Sequence, residues 1–344
     1  MKLFIITDTH FCENSSIIRG QGDKYTKRLE NCIQTQNWAE RKAEELSCDY
    51  IIHLGDYFDK SNLTDQEITA AQDIEWSQSI KHIFLVGNHE SGDNNLQYSS
   101  TKFLQGPGRE VIFEPENRDF GDVELCFLPY VVEYNRRPIE EYFGAKSDKT
   151  RIILSHNDIN GIQLGPVISK SGFYVEEIEN NCDLFINGHL HNGQQISDVI
   201  LNLGNITGKD FGENAAKYNH RAIVVDTDSG EAKYIENPYA YNFYKIDIDT
   251  EEDIQKLDTL KNNAVLSLKV KEQFVEAVSE KLASLSNIID TRLVTVREVI
   301  SDNQTTAEVA LSLGVDHITK FTEYCRANSE MTPVLEAELA EVCK

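Results

Sequence analysis

An α/β fold, a two-sheet sandwich flanked by helices, is predicted by three features of the 344-residue chain. Short apolar runs bounded by Gly or polar residues recur, as buried strands do. Helical-period stretches separate the early runs, which is the βαβ alternation of a parallel sheet. After about residue 190 the runs shorten and turn residues join them, which reads as antiparallel pairing.

Each element has its own signal. Residues 3–6 are the first buried run and lead into Asp8-Thr9-His10. Residues 24–46 form a helix candidate with Leu29, Ile33, Ala39, Ala43 and Leu46 near helical spacing. Residues 50–54 lead into Gly55-Asp56-Tyr57-Phe58-Asp59. A second helix is expected over 64–80, with Thr64 and Glu67 as a capping box. Residues 82–86 lead into Gly87-Asn88-His89-Glu90, 151–155 into His156, and 183–187 into Gly188-His189-Leu190-His191. Short strands at 194–197, 199–203, 221–225 and 232–235 are expected to form a second sheet packed on the first.

Composition shifts near Asn237-Pro238, and of the 19 glycines only Gly314 follows Gly230. The expected division is a main domain over 1–240, a small α/β capping domain over 241–303, and a helical C-terminus over 304–344. In the capping part strands are expected at 244–248, 264–270 and 288–299, with a helix over 271–285. The helical end uses Gly314 as a stop and Thr332-Pro333 as a start.

Bulk properties narrow the function classes. No apolar run approaches the roughly 18 residues of a membrane span, and the chain opens on a core strand rather than a leader. The seven cysteines include no Cys-x-x-Cys pair, which argues against a thiolate zinc site or a disulfide framework and for the reducing cytoplasm. Cys12 reads as a bystander near the crevice. The formal net charge is −24, without the basic footprint of a free-standing nucleic-acid binder. Arg19, Lys24, Lys27 and Arg28 form one basic cluster and Arg136-Arg137 another. Weak DNA affinity is therefore expected, with a partner supplying much of the grip.

Sites in α/β sheets form beyond the carboxyl ends of strands. Five such ends would bring Asp8, His10, Asp56, Asn88, His156, His189 and His191 into one crevice. Two carboxylates, an amide and four imidazoles suit a pair of divalent cations, a phosphoester-cleaving arrangement in which a bridged water becomes hydroxide near neutral pH. Asp56 is the natural bridge. Mixed oxygen and nitrogen ligation favours Mn2+ or iron over Mg2+, with zinc open. His89 follows Asn88 and is positioned to stabilise or protonate the leaving alkoxide. Asp59 is expected to orient His89 and raise its pKa. His53 reads as a core or supporting histidine, His82 and His317 as packing or surface residues, and His220 as one without a role. Each motif alone is weak; Gly-Asn-His directly after a buried strand is the sharpest.

Taken together, the five motifs resemble those of the calcineurin-like metallophosphoesterases, over roughly residues 1–240. The resemblance implies that Asp8, His10, Asp56 and His191 hold one ion and that Asp56, Asn88, His156 and His189 hold the other. Serine/threonine phosphatases of that superfamily carry Gly-Asp-x-x-Asp-Arg-Gly and His-Gly-Gly, where Lys60-Ser61 and His156-Asn157-Asp158 stand here. Leu128-Pro129-Tyr130, Gly204-Asn205-Ile206-Thr207 and Asp210-Phe211-Gly212-Glu213 resemble segments of the SbcD-type nuclease subunits of double-strand-break repair complexes, particularly phage-encoded ones. Gly204-Asn205 stands where Gly-Ser is common there. This second resemblance implies an Mn2+-dependent DNA exonuclease and endonuclease, with an SbcC-type coiled-coil ATPase bound through the C-terminal helices. A stand-alone phosphodiesterase for small or cyclic nucleotides, whose last helices form a homodimer, is the alternative. A scaffold without catalysis is the third reading, and the full ligand set opposes it.

Overall fold

The computed structural model describes residues 1–296 other than 93–94, 165–166 and 214. In chain order the first strands are β1 (Lys2–Ile6), β2 (Tyr50–His53), β3 (Lys81–Leu85), β4 (Arg109–Ile112), β5 (Glu116–Phe120), β6 (Val123–Leu128) and β7 (Thr150–Ser155). Four short strands follow: β8 (Ile159–Asn160), β9 (Gln163–Leu164), β10 (Val167–Ile168) and β11 (Phe173–Tyr174). Then come β12 (Leu184–Asn187), β13 (Gln194–Gln195), β14 (Ile200–Asn202), β15 (Arg221–Asp226) and β16 (Glu231–Glu236).

Among the described residues, one six-stranded sheet has the order β16-β15-β1-β2-β3-β4 and a second has β13-β14-β12-β7-β6-β5. β1 to β4 are mutually parallel, and so are β6, β7, β12 and β14. The outer strands are antiparallel: β15 and β16 on the first sheet, β5 and β13 on the second. The sandwich is as expected, but its assembly differs from the sequence reading. The late strands do not make a sheet of their own. β13 and β14 extend the second sheet while β15 and β16 extend the first.

Strand alternation explains why the runs are continuously apolar. Leu3, Ile5, Ile52, Leu54, Ile83 and Leu85 face the second sheet and meet Leu125, Phe127, Ile152, Leu154 and Ile186. Phe4, Ile6 and Ile51 point the other way, onto Trp38, Ala39 and Ala43 of α1 (Lys27–Glu45). Cys126, Ile153 and Phe185 on the outer face of the second sheet pack against Ile139, Phe143 and Ile178.

α1 starts later than the expected residue 24. Thr26 caps it, and the Glu30 carboxylate turns back to accept the backbone N–H groups of Lys24 and Tyr25 at 2.7 and 3.0 Å. α2 (Asp65–Gln72) has the expected capping box, yet it stops well short of residue 80. The segment after it is captured by α1 instead: Asn37 accepts from Glu75 N–H and Glu40 from Ser77 N–H. α3 (Ile139–Phe143) and α4 (Val175–Asn181) are short.

Beyond β16 a separate three-stranded sheet comprises β17 (Asn242–Ile248), β18 (Ala264–Lys271) and β19 (Ile288–Val296). α5 (Glu251–Gln255) and α6 (Val275–Ser284) accompany it. Ile248, Leu257, Leu266, Leu268, Val270 and Val278 form its own core. Phe243 and Val265 pack with Ile17 and Ile18 of the first long loop. The helical C-terminus expected over 304–344 lies outside the described residues. No helix among the described residues is long and apolar enough to cross a membrane.

Candidate metal centre

β1, β2 and β3 of one sheet and β7 and β12 of the other end at the same edge of the sandwich, and the loop after each supplies part of the centre. Backbone hydrogen bonds lock these loops to one another. Asp8 N–H donates to Gly55 O and His10 N–H to Asp56 O, at 3.1 and 2.9 Å. Gly188 N–H donates to Ser155 O at 2.9 Å. Asp8, His10, Asp56 and His189 all have left-handed backbones, with φ of 51°, 47°, 48° and 75°. Such conformations cost about 1–3 kcal/mol each and persist where surrounding contacts enforce them.

Space is equally constrained. A Cβ on Gly55, whose φ is 115°, would stand 2.5 Å from His156 Nδ1, and one on Gly87 would overlap Asp56. The glycines of the second and third motifs thus let neighbouring loops approach closely enough for their side chains to meet.

All seven donors read from the sequence do meet, in two groups. Asp8, His10 and His191 form one and Asp56, His156 and His189 form the other, while His10, Asp59 and His89 make a further cluster of ligand-type atoms beside the first. His10 Nε2 and His191 Nε2 are 3.0 Å apart. Asn88 Oδ1 lies 3.0 Å from His189 Nδ1 and 3.3 Å from His156 Nε2. Asp56 Oδ2 is 3.3 Å from His156 Nε2 and 3.9 Å from His10 Nε2, so it stands between the groups. Each carboxylate divides its oxygens. Asp8 Oδ2 accepts from Thr7 Oγ1 and His189 N–H, and Asp56 Oδ1 accepts from His89 N–H. Asp8 Oδ1 is buried with no hydrogen-bond partner, 3.9 Å from both His10 Nε2 and His191 Nε2. An orphaned buried carboxylate oxygen facing two imidazoles is what a cation ligand leaves behind without its ion. The residues fit divalent cations.

The electrostatics agree. Burial alone would raise the pKa of Asp56, but the adjacent His156, with His10 and His89, holds it well below the carboxylate range. Burial opposes charge on His156, yet Asp56 and Asp8 push it up to about 9. Asp56 and His156 thus each favour the charged form of the other. Burial pushes His10 down to about 4 against the pull of Asp59, leaving it neutral.

His89 sits on the half-exposed rim, its ring 4.8 Å from that of His10. Its Nδ1 is 3.0 Å from the Asp59 backbone carbonyl and 3.6 Å from the carboxylate. The Asp59 carboxylate is closer to other partners, with Oδ1 2.9 Å from His10 Nδ1 and 2.7 Å from Lys209 Nζ. Burial would raise the Asp59 pKa, but His10 and Lys209 hold it well below its usual range. Asp59 therefore reaches His89 mainly through its backbone and His10 through its side chain.

Several contributors have a role that no sequence pattern assigned. The buried Glu90 accepts from Phe58 N–H and Gly87 N–H, tying two motif loops together. Asp158 Oδ1 is 3.3 Å from His189 Nε2. Arg28 does not add to a solvent-facing basic cluster with Arg19, Lys24 and Lys27: its guanidinium is buried and donates to the carbonyls of Thr9, His10 and Gly208. Charge at an inward helical position was its one available sign. His53 is a core residue stacked 4.2 Å from Phe84. His82 is buried against Glu40 rather than on the surface, and His220 Nδ1 lies 2.7 Å from Asn205 O. Cys12 is buried beside the first motif, where burial raises its pKa.

The family model for calcineurin-like phosphoesterases matches residues 1–193. Among solved structures, a dimetal phosphatase from Danio rerio is similar at 13% identity over 58% of this chain and 85% of its own, with a TM-score of 0.37. The calcineurin-like phosphoesterase YfkN from Bacillus subtilis is similar at 10% identity over 69% and 88%, with a TM-score of 0.34. A protein of unknown function from Aquifex aeolicus is similar at 18% identity over 58% and 82%, with a TM-score of 0.27. The search of curated proteins found no match. A match that runs through every motif loop and spans more than half of the 344 residues makes this chain a member of the calcineurin-like phosphoesterase family, whose members hydrolyse phosphoesters with bound metal.

Proposed function

We propose that the protein is the nuclease subunit of an SbcCD-type DNA repair and recombination complex, cleaving phosphodiesters of DNA with two Mn2+ ions. The observation that carries the hydrolytic part is the convergence of seven nitrogen and oxygen donors in two adjoining groups, one of which holds the orphaned Asp8 oxygen. Asp8, His10, Asp56 and His191 would hold one ion, and Asp56, Asn88, His156 and His189 the other. Bound there, the pair would polarise the phosphoryl group and activate water.

The remaining work belongs to protein groups. His89 Nδ1 lies 3.0 Å from the Asp59 carbonyl, and as an imidazolium the ring would give its Nε2 proton to the departing alkoxide and be left neutral. Tyr130, from the Leu128-Pro129-Tyr130 segment, places its ring 5.9 Å from that of His189 and half-buried beside the centre, where a nucleotide sugar or base can lie against it. The charge of −24 favours shared DNA binding, with residues 304–344 as the docking segment for a coiled-coil ATPase. The buried free thiols Cys12, Cys32, Cys48, Cys126 and Cys182 accord with a reducing cytoplasm.

The same charge favours a second reading, a stand-alone phosphodiesterase for small or cyclic nucleotides that dimerises through residues 304–344. Assaying linear duplex DNA, cyclic nucleotides and bis-p-nitrophenyl phosphate with Mn2+, alone and with a co-expressed ATPase, separates the two. Preference for duplex ends that grows with the ATPase supports the nuclease; preference for the small esters overturns it. Removing residues 304–344 is expected to abolish ATPase association and to leave bis-p-nitrophenyl phosphate cleavage intact.

A further inference from the structure

Residues 205–213 reach the metal centre from outside the five motif loops. Asn205 Nδ2 donates to Asp8 O at 2.9 Å and Thr207 Oγ1 to Thr9 O at 3.0 Å, so the segment lies against the first motif. Its end carries Glu213, a buried carboxylate that no strand-end pattern announces. Both Glu213 oxygens accept from Lys209 N–H at 3.0 Å. Oε1 also lies 3.3 Å from His191 Nδ1, and Oε2 lies 3.8 Å from His220 Nε2. On the other edge of the His191 ring, Nε2 faces His10 Nε2 and Asp8 Oδ1.

An imidazole that donates its Nδ1–H to a carboxylate presents an unprotonated Nε2, the form that binds a cation. His10 Nδ1 likewise lies 2.9 Å from a carboxylate oxygen, Asp59 Oδ1, with the Lys209 ammonium 3.2 Å from the same nitrogen. The Lys209 ammonium contacts that same Asp59 oxygen at 2.7 Å, while Glu213 holds the Lys209 backbone. One buried carboxylate is thus connected to both imidazoles of the Asp8 group. In the other group the outer support is a different residue, Asp158, whose Oδ1 lies 3.3 Å from His189 Nε2, while His156 Nδ1 is buried without a hydrogen-bond partner.

We propose that Glu213 is a positioning residue for the cation position formed by Asp8, His10 and His191: it fixes the ring of His191 directly and braces Asp59 on His10 through Lys209. This rests on the two-cation reading given above and adds that the two positions depend on separate outer supports.

The test is titration of the metal-stripped full-length protein with Mn2+, with free aquo-Mn2+ counted by electron paramagnetic resonance. The wild type is expected to take up two equivalents. Glu213→Ala is expected to weaken one of them about 10–100-fold and leave the other unchanged. Glu213→Gln, nearly isosteric and still able to accept from Lys209 N–H, is expected to fall between and decides the matter if the alanine variant does not fold. A metal-free readout accompanies it. Long-range 15N–1H spectra should show His191 protonated at Nδ1 in the wild type and losing that preference in the variants. Two equivalents bound with wild-type constants by the variants, or an unchanged His191 tautomer, would overturn the role of Glu213 alone. A wild-type protein that binds no Mn2+ would overturn the two-cation reading and this proposal with it.

Discussion

A methyl group at Gly87 would occupy the space of the Asp56 carboxylate. Nothing there can retreat, because Asp56 Oδ1 is already held by His89 N–H and Gly87 N–H by Glu90. Gly87→Ala is therefore expected to destabilise the fold by about 1–3 kcal/mol, as overpacking does, and to lower Mn2+ affinity; urea unfolding and metal titration check the two effects. His89 makes the opposite case. It lies on the rim and belongs to neither of the two groups that hold the seven donors, although it clusters with His10 and Asp59. His89→Ala should bind Mn2+ as the wild type does while turnover falls by about 10²–10⁴, the usual range for a lost general acid. Unchanged turnover in that variant would refute the leaving-group role. The ligand-type residues were legible because each follows an apolar run directly. Lys209, Glu213 and Arg28 were not, because their partners are contacts such as His191, Asp59 and the carbonyl of Gly208, which no local spacing encodes.

On the scale of elements, α1 and β3 meet through a buried acid and a buried imidazole. Glu40 Oε2 is 3.4 Å from His82 Nε2; burial pushes Glu40 up to about 7 and His82 down to about 4. The signs oppose one another. A raised acid gives stability that is full below its unfolded value, about 4.5, and is lost as pH climbs through 7. A depressed histidine gives stability that grows as pH rises from about 4 to 6.5. Glu40→Gln removes only the first effect. Its stability relative to the wild type should therefore increase between pH 4.5 and 7.5, by up to about 3 kcal/mol, since one pKa unit is worth about 1.4 kcal/mol. Urea unfolding of both proteins at the two pH values, metal-free, measures this; a constant difference would refute it. Between the sheets Leu154 is fully buried, and Leu154→Ala should cost about 2–5 kcal/mol. Element starts were readable where a cap fixes them, as Thr64 and Glu67 do for α2. The end of α2 was not, since Asn37 and Glu40 on a different helix divert the chain after it.

At the scale of the whole molecule, the centre belongs to neither sheet, so cation binding should hold the two together. Mn2+ at about a hundred times its Kd adds about 2.7 kcal/mol per site to stability, expected as a rise in Tm that EDTA reverses. Binding must also displace the proton that His156 carries below pH 9. Mn2+ affinity should therefore climb with pH from 7 to 8.5, by up to about tenfold per unit for one released proton; isothermal titration at both pH values in two buffers reports the proton count.

The amino-acid sequence alone determined the strands that end at the crevice, the α/β class and the residue types that gather there. It could do so because burial on both sheet faces and ligation at strand ends are written locally, within a few residues of each other. Only the tertiary structure decided that the last strands divide between two sheets, that the Asp59 carboxylate turns to His10, and that residues 205–213 close around the first motif. Those outcomes depend on hydrogen bonds between segments nearly 200 residues apart, such as Asn205 to Asp8, where packing of distant surfaces, not periodicity, selects the partner.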